Sequence, residues 1–262
     1  MKCVILQPSY IPWRGFFHQI QKADVFVFYD DVQYDKGGWR NRNRIMTPAG
    51  AQWLTIPVQV EFGALINQVR TDRRKPWARH HRQTLHCHYR RAPYYREYAP
   101  LLDEIYRQEE EFLAEFTIRS TILLARALGL RTRFLRSSAM NIEGSRTGRL
   151  VSIAQALGAD LYITGPSAKD YLETDLFTAA GIRVEFMTYD YPAYPQCGPE
   201  YDPNLSTIDL LMMTGRTAGD YIWGAPELEE DSFTTSQENK LTLEGLPVMA
   251  MSGSGREETG RE

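Results

Sequence analysis

Cysteine is scarce in this 262-residue sequence: only Cys3, Cys87 and Cys197 occur, far apart and with no CxxC pair. An odd and scattered set excludes a disulfide framework or a cysteine-built zinc site as the device that holds the fold together. Long apolar runs are missing too. No stretch reaches the roughly 18 consecutive apolar residues of a membrane-spanning helix. Met1-Lys2-Cys3 leads straight into Val4-Ile5-Leu6, too short for the apolar region of a signal peptide. A cytoplasmic protein without a membrane span is therefore expected. Cofactor signatures are lacking as well, with neither a Walker A loop nor a GxGxxG, so the sequence names no cofactor. His80, His81, His86 and His88 fall in one predicted helix, but no pair has the i, i+4 spacing of a metal site, and none is read there.

What is present is an ordinary globular composition, 43% hydrophobic and 24% charged. The net charge of −3 conceals an asymmetry: residues 1–96 hold 16 Lys/Arg against 6 Asp/Glu, and residues 97–262 hold 14 against 27. A basic first part suits an anionic ligand such as a nucleotide, coenzyme A or an RNA acceptor stem; equally, the two parts attract one another across an internal interface.

Periodicity gives the architecture. The apolar run 2–6 and the run Val25 to Tyr29 read as buried strands, with a helix between them that starts at Trp13 and carries Phe16, Ile20 and Ala23 on one face. That is a βαβ unit with parallel strands. Residues 36–60 read as a β-hairpin turning at Pro48-Ala49-Gly50. Two helices are predicted at about 75–90 and 97–128. Strands at 132–135, 160–164 and 183–187 then alternate with helices at 149–157 and 169–180. The fold class is α/β: a mostly parallel sheet of Rossmann-like type with a hairpin insertion and a helical middle segment. It occupies residues 1–224; residues 225–262 form an acidic extension, at least partly disordered.

Ligands of open parallel sheets lie outside the carboxyl ends of the strands, which places the site in the first sixty residues. The loop Gln7 to Trp13 offers an amide in Gln7 and stacking faces in Tyr10 and Trp13, or else is a rigid turn that fixes the helix. Asp30 and Asp31 end the second strand and are the acid/base candidates, one of them free to serve instead as a cap. Gln33, Tyr34 and Lys36 continue that edge. In Trp39-Arg40-Asn41-Arg42-Asn43-Arg44, alternation puts Arg40, Arg42 and Arg44 on one face, where three guanidinium forks suit a phosphate or carboxylate. Trp39, Asn41 and Asn43 share the other and suit a sugar or base. A charged edge strand that resists aggregation is the structural alternative. His18 is the one histidine near this site. Ser138 and Asn141 follow a strand and face the same cleft. Gly165, Ser167 and Lys169 form a polar strand-to-helix turn, with Ser167 a phosphate ligand or simply a helix cap. Tyr189 to Gln196 reads as a rigid aromatic wall, and Ser206 as the cap of a last helix.

Gln7-Pro8-Ser9-Tyr10-Ile11-Pro12, Gly15-Phe16-Phe17, Asp30-Asp31-Val32-Gln33-Tyr34 and Gly38-Trp39-Arg40-Asn41-Arg42-Asn43-Arg44-Ile45 together resemble the WbqC-like family. Arg136-Ser137-Ser138, Gly165, Ala180-Gly181-Ile182 and Leu205-Ser206-Thr207-Ile208-Asp209 extend the resemblance over roughly residues 1–222. Where family members often carry two glycines, this chain has Gly165-Pro166-Ser167. The family's association with O-antigen and related surface polysaccharides implies a transferase that adds an acyl or aminoacyl group to an amino sugar. On that reading Arg40, Arg42 and Arg44 anchor an anionic donor, a sugar nucleotide or activated acyl group, or an RNA acceptor stem. Asp30 or Asp31 takes the acceptor's proton, and Tyr10, Trp13 and Trp39 stack on the acceptor. A nucleotidyltransferase-like enzyme is the alternative, although His18 has no partner for an HxGH pair; a non-catalytic sugar- or nucleotide-binding protein is another.

Overall fold

The computed structural model describes residues 1–224; the expected extension over 225–262 lies outside them. The chain opens with β1 (Lys2–Leu6), α1 (Arg14–Lys22) and β2 (Val25–Phe28). The two strands are parallel, with Cys3 opposite Val25 and Leu6 opposite Phe28. All four residues of β2 are buried, as a strand covered on both faces must be.

Next comes the hairpin of β3 (Arg42–Thr47) and β4 (Gly50–Thr55), closed by Pro48-Ala49 with Thr47 opposite Gly50. A minor pair, β5 (Val58–Gln59) and β6 (Arg70–Thr71), leads to α2 (Trp77–Tyr89), α3 (Tyr95–Ile105) and α4 (Leu113–Ala127). Then follow β7 (Arg133–Arg136), α5 (Arg146–Leu157), β8 (Leu161–Thr164), α6 (Thr174–Ala179), β9 (Arg183–Phe186) and α7 (Thr207–Thr214). Gly158, at φ 70°, ends α5 in the left-handed conformation that favours glycine.

The parallel sheet has the order β7-β2-β1-β8-β9. Counted along the chain, these five strands lie in the order third, second, first, fourth, fifth, which is the Rossmann-type arrangement. The chain steps outward from β1 to β7, crosses back, and continues outward from β8. The switch point is therefore between β1 and β8. Each face of the sheet has its own core. Val4, Phe26, Phe28 and Ile163 pack with Phe16 and Ile20 of α1 and Phe116 of α4. Cys3, Ile5, Val27 and Tyr162 pack with Leu150 and Ile153 of α5 and Phe177 of α6.

Two expected helices are different. The helix expected over 97–128 is two, α3 and α4, because residues 110–113 are drawn out against β6: Thr71 N donates to Glu111 O at 2.9 Å and Leu113 N to Val69 O at 2.9 Å. The helix expected over 169–180 is a 3-10 turn, Pro166–Asp170, followed by the shorter α6. Gly165, not Ser167, occupies the cap of that turn. Ser206 does cap α7, its Oγ accepting from Ile208 N at 3.2 Å.

Candidate functional site

Leu6 and Thr164 are the last residues of β1 and β8, and both line two adjoining cavities. One, of about 360 Å³, opens on the α1 side of the sheet and is walled by Ser9, Trp13, Gln19, Trp39, Asn43, Gly165, Ser167 and Tyr189. The other, of about 600 Å³, opens on the α5 side and is walled by Gln7, Tyr29, Arg146, Thr147, Tyr162 and Glu173. Arg40 and Tyr171 belong to both. The first sixty residues, where the site was expected to centre, supply part of these walls, and residues 146–204 supply much of the rest.

The loop after β1 is held rather than free. Ile11 lies at φ 33°, a strained value for a β-branched residue. Asn43 secures it, its Nδ2 donating to Ile11 O at 2.9 Å and Tyr10 O at 3.2 Å. The Trp13 indole lies close against Gly15, where a Cβ would come within 2.3 Å of the ring. Tyr189 meets Trp13 edge-on at 5.0 Å, so the aromatic segment after β9 does form a wall here.

Two polar side chains in the smaller cavity are incompletely satisfied. Gln19 is 4% exposed; its Nε2 donates to Tyr189 Oη at 2.9 Å, while Oε1 is buried with no partner. Arg40 Nη1 donates to Gln7 O at 3.2 Å and Pro8 O at 3.3 Å, but Nε is buried with no hydrogen bond and Nη2 has none among the described residues. The Asp35 carboxylate lies 3.3 Å from Nε. Burial pushes the Arg40 guanidinium below its ordinary pKa, with Asp35 and Tyr34 opposing. A guanidinium held in a cavity wall with unused donors is suited to an anion.

The other residues singled out from sequence lie elsewhere. Asp30 is fully buried: Oδ1 accepts from Ser138 N at 3.1 Å, and Oδ2 from Ser138 Oγ at 2.9 Å and Arg136 Nε at 2.8 Å. Asp31 pairs with Arg149 at 2.5 Å and accepts from Ser137 Oγ at 2.5 Å. Neither carboxylate lines either of the two cavities, and Ser138 serves Asp30. Tyr10 has no exposed face; its hydroxyl is 2.7 Å from His81 Nδ1 and 2.5 Å from Tyr106 Oη. His18 bonds Tyr191 Oη at 2.9 Å outside both cavities, and burial lowers its pKa.

Only Arg42 and Arg44 share the face of a strand, since β3 begins at Arg42 and Arg40 lies in the bend before it, and the three arginines do not converge. Arg42 lies 4.5 Å over the Trp53 ring and bonds Gly37 O, and Arg44 pairs with Asp202 at 3.0 Å. Asn41 is buried and ties Ile56 O at 2.9 Å. Gln33 and Lys36 are exposed and line neither cavity, Asn141 sits in a turn at φ 52°, and Lys169 lies 5.5 Å over Phe186. Gln7, Trp13, Trp39, Arg40, Asn43, Gly165 and Ser167 are the expected residues brought together. Gln19, Arg146, Tyr171 and Glu173 join them without having been singled out. Among the described residues, no three His, Cys, Asp or Glu converge as metal ligands.

Strand order, hairpin insertion and helical middle segment define an α/β protein of Rossmann-like topology with a two-sided cleft at its switch point. Residues 7–221 match the model of the WbqC-like protein family, and the chain belongs to that family. It is similar to the uncharacterized protein Rv1507c of Mycobacterium tuberculosis, with 38% identity over 225 residues, 84% of this chain and 97% of that protein. No solved structure matches the chain. No helix among the described residues is long and apolar enough to cross a membrane.

Proposed function

We propose that the chain is a group transferase of surface-glycoconjugate biosynthesis, which holds an anionic activated donor in the smaller cavity and passes its acyl or aminoacyl group to an amino sugar. The observation that carries this reading is the Arg40 guanidinium, whose Nη2 has no hydrogen bond among the described residues, in one cavity wall with Gln19, Trp13, Trp39 and Tyr189. A cavity of about 360 Å³ lies within the ordinary size of small-molecule sites. In the transfer, the acceptor nitrogen attacks the donor's acyl carbon. The new N–C bond forms as the bond to the leaving group breaks with its electron pair, and the nitrogen loses its proton to base. The family's association with polysaccharide genes supports an amino-sugar acceptor. His18, bonded to Tyr191 outside the cleft, lends no support to the nucleotidyltransferase alternative.

Isothermal titration with nucleoside diphosphate sugars and coenzyme A thioesters tests the donor. At least one should bind, and Arg40→Gln should weaken it about tenfold or more by removing the charge. If none binds, or if Arg40→Gln binds as tightly as the parent, the donor site is misplaced. Binding without transfer to any amino sugar would leave a binding protein.

A further inference from the structure

The larger cavity has a charge pattern of its own. Arg40 and Arg146 lie in its wall, and so does Glu173. Among the described residues, neither Arg146 nor Glu173 forms a side-chain ion pair or hydrogen bond, with each other or with anything else. Charges of opposite sign that share a wall without pairing attract a ligand that carries both signs. Around them are the hydroxyl residues Tyr29, Thr147 and Thr164. Arg146 opens α5 at φ 49°, so the chain enters this wall in a strained conformation. A volume of about 600 Å³ exceeds what an amino acid fills and accommodates a sugar ring with substituents.

We infer that the larger cavity is the acceptor compartment, and that it takes an amino-sugar phosphate, its phosphate on Arg40 and Arg146 and its ammonium on Glu173. This rests on the transferase reading and adds the acceptor's chemistry to it. Adjacency gives the arrangement its use: Leu6, Arg40, Thr164 and Tyr171 wall both cavities, so two substrates bound from opposite faces of the sheet meet at the switch point. Arg40 faces anionic groups on either side, which accounts for its lying at the partition. The Glu173 carboxylate holds the ammonium form until the proton is shed.

The test is calorimetry on the full chain with three probes: glucosamine 6-phosphate, its N-acetylated counterpart, which has the phosphate but no cation, and glycine. The parent should bind glucosamine 6-phosphate about tenfold tighter than the N-acetylated sugar, and glycine more weakly than either. Glu173→Gln should erase the preference by weakening only the amine-bearing ligand. Arg146→Ala should weaken both sugar phosphates about tenfold. Neither side chain has a structural partner among the described residues, and an unchanged thermal midpoint would verify folding. No binding of glucosamine 6-phosphate at 10 mM or so, a concentration that detects even a weak complex, overturns the inference. So does equal affinity for the two sugars, a preference that survives Glu173→Gln, or glycine binding the tightest. The parent's own ranking of the probes decides even if a variant misfolds. A nucleoside diphosphate titrated in parallel reads the donor cavity: its indifference to Arg40→Gln would sink the donor reading and leave the acceptor result standing.

Discussion

Asp30 is held in place by Arg136, Ser137 and Ser138, more than a hundred residues away in sequence. A buried carboxylate so fully engaged organises the end of β2, and breaking a buried pair of this kind costs about 3–5 kcal/mol. Asp30→Asn should therefore lower stability by that order in urea denaturation; a stable but inactive variant would instead restore the carboxylate to the chemistry. Two other buried groups titrate in opposite directions. Burial raises Asp209 to about 6, even though Tyr89 and Tyr194 donate to it at 2.6 and 2.9 Å. Burial lowers His81 to about 4. Folded Asp209 holds its proton more tightly than the unfolded chain does, so its contribution is present below about pH 4 and is lost as pH rises through 6. Folded His81 resists its proton, so its contribution is present above 6.5 and is lost as pH falls through 4. Each is worth about 3 kcal/mol, and over pH 4–6.5 they offset one another. Parent minus Asp209→Asn stability should fall with rising pH across this window, and parent minus His81→Gln should rise. Urea midpoints at several pH values check both, and differences that stay flat would refute the assignment.

At the scale of elements, the break between α3 and α4 is covered by one side chain. Arg119 of α4 donates to two carbonyls at the end of α3, Glu104 O at 3.0 Å, which also accepts from Arg107 N at 3.5 Å, and Ile105 O at 2.9 Å. Arg119→Ala should cost about 1–3 kcal/mol by leaving the Ile105 carbonyl unsatisfied, read as a lower urea midpoint with an unchanged slope. A loss below about 0.5 kcal/mol, the ordinary effect of a surface change, would mean that water replaces it. The same break shows what local pattern conveys. Val4-Ile5-Leu6 and Val25 to Phe28 were legible as parallel strands because both are buried on two faces, and the alternation of Arg42, Asn43 and Arg44 was legible because β3 has period two, whereas Arg40 and Asn41 precede that strand. The interruption at 110–113 was not, since no Gly or Pro marks it; it is imposed by β6, some forty residues earlier. Side-chain direction was hidden for a similar reason. Tyr10 reads as a stacking residue until His81 and Tyr106 are found against its hydroxyl. Gln19 and Glu173 carry no local signal, because their importance depends on the order of the strands. Tyr171 and Tyr189 follow β8 and β9 and were within reach of the switch-point rule once that order was known.

For the whole molecule, the charge asymmetry has two outlets. Part of it closes internally, through Lys22 with Glu185, Arg44 with Asp202 at 3.0 Å, and Arg82 with Asp103 at 2.6 Å. These pairs are partly or largely exposed, and each contributes at most about 1 kcal/mol. Arg146, without an ion pair among the described residues, and Arg40, paired through Nε with Asp35 at 3.3 Å, lie in the cavity walls, where their remaining donors face a ligand. Among the described residues, 1–224, both cores and both cavities find their walls, and the family match ends at 221. A chain ending at residue 224 should therefore unfold cooperatively, within about 0.5 kcal/mol of the full-length protein, the range of changes made away from packed features. It should also keep the same ligand response: a donor at 100 times its dissociation constant should stabilise either form by about 2.7 kcal/mol. Differential scanning calorimetry of the two chains, with and without donor, makes the comparison. Loss of cooperativity in the shorter chain would assign residues 225–262 to the core. A preserved midpoint with a lost ligand response would instead assign residues 225–262 a part in ligand binding, whereas a stronger response would mean that their nine Asp/Glu against three Lys/Arg compete with an anionic donor.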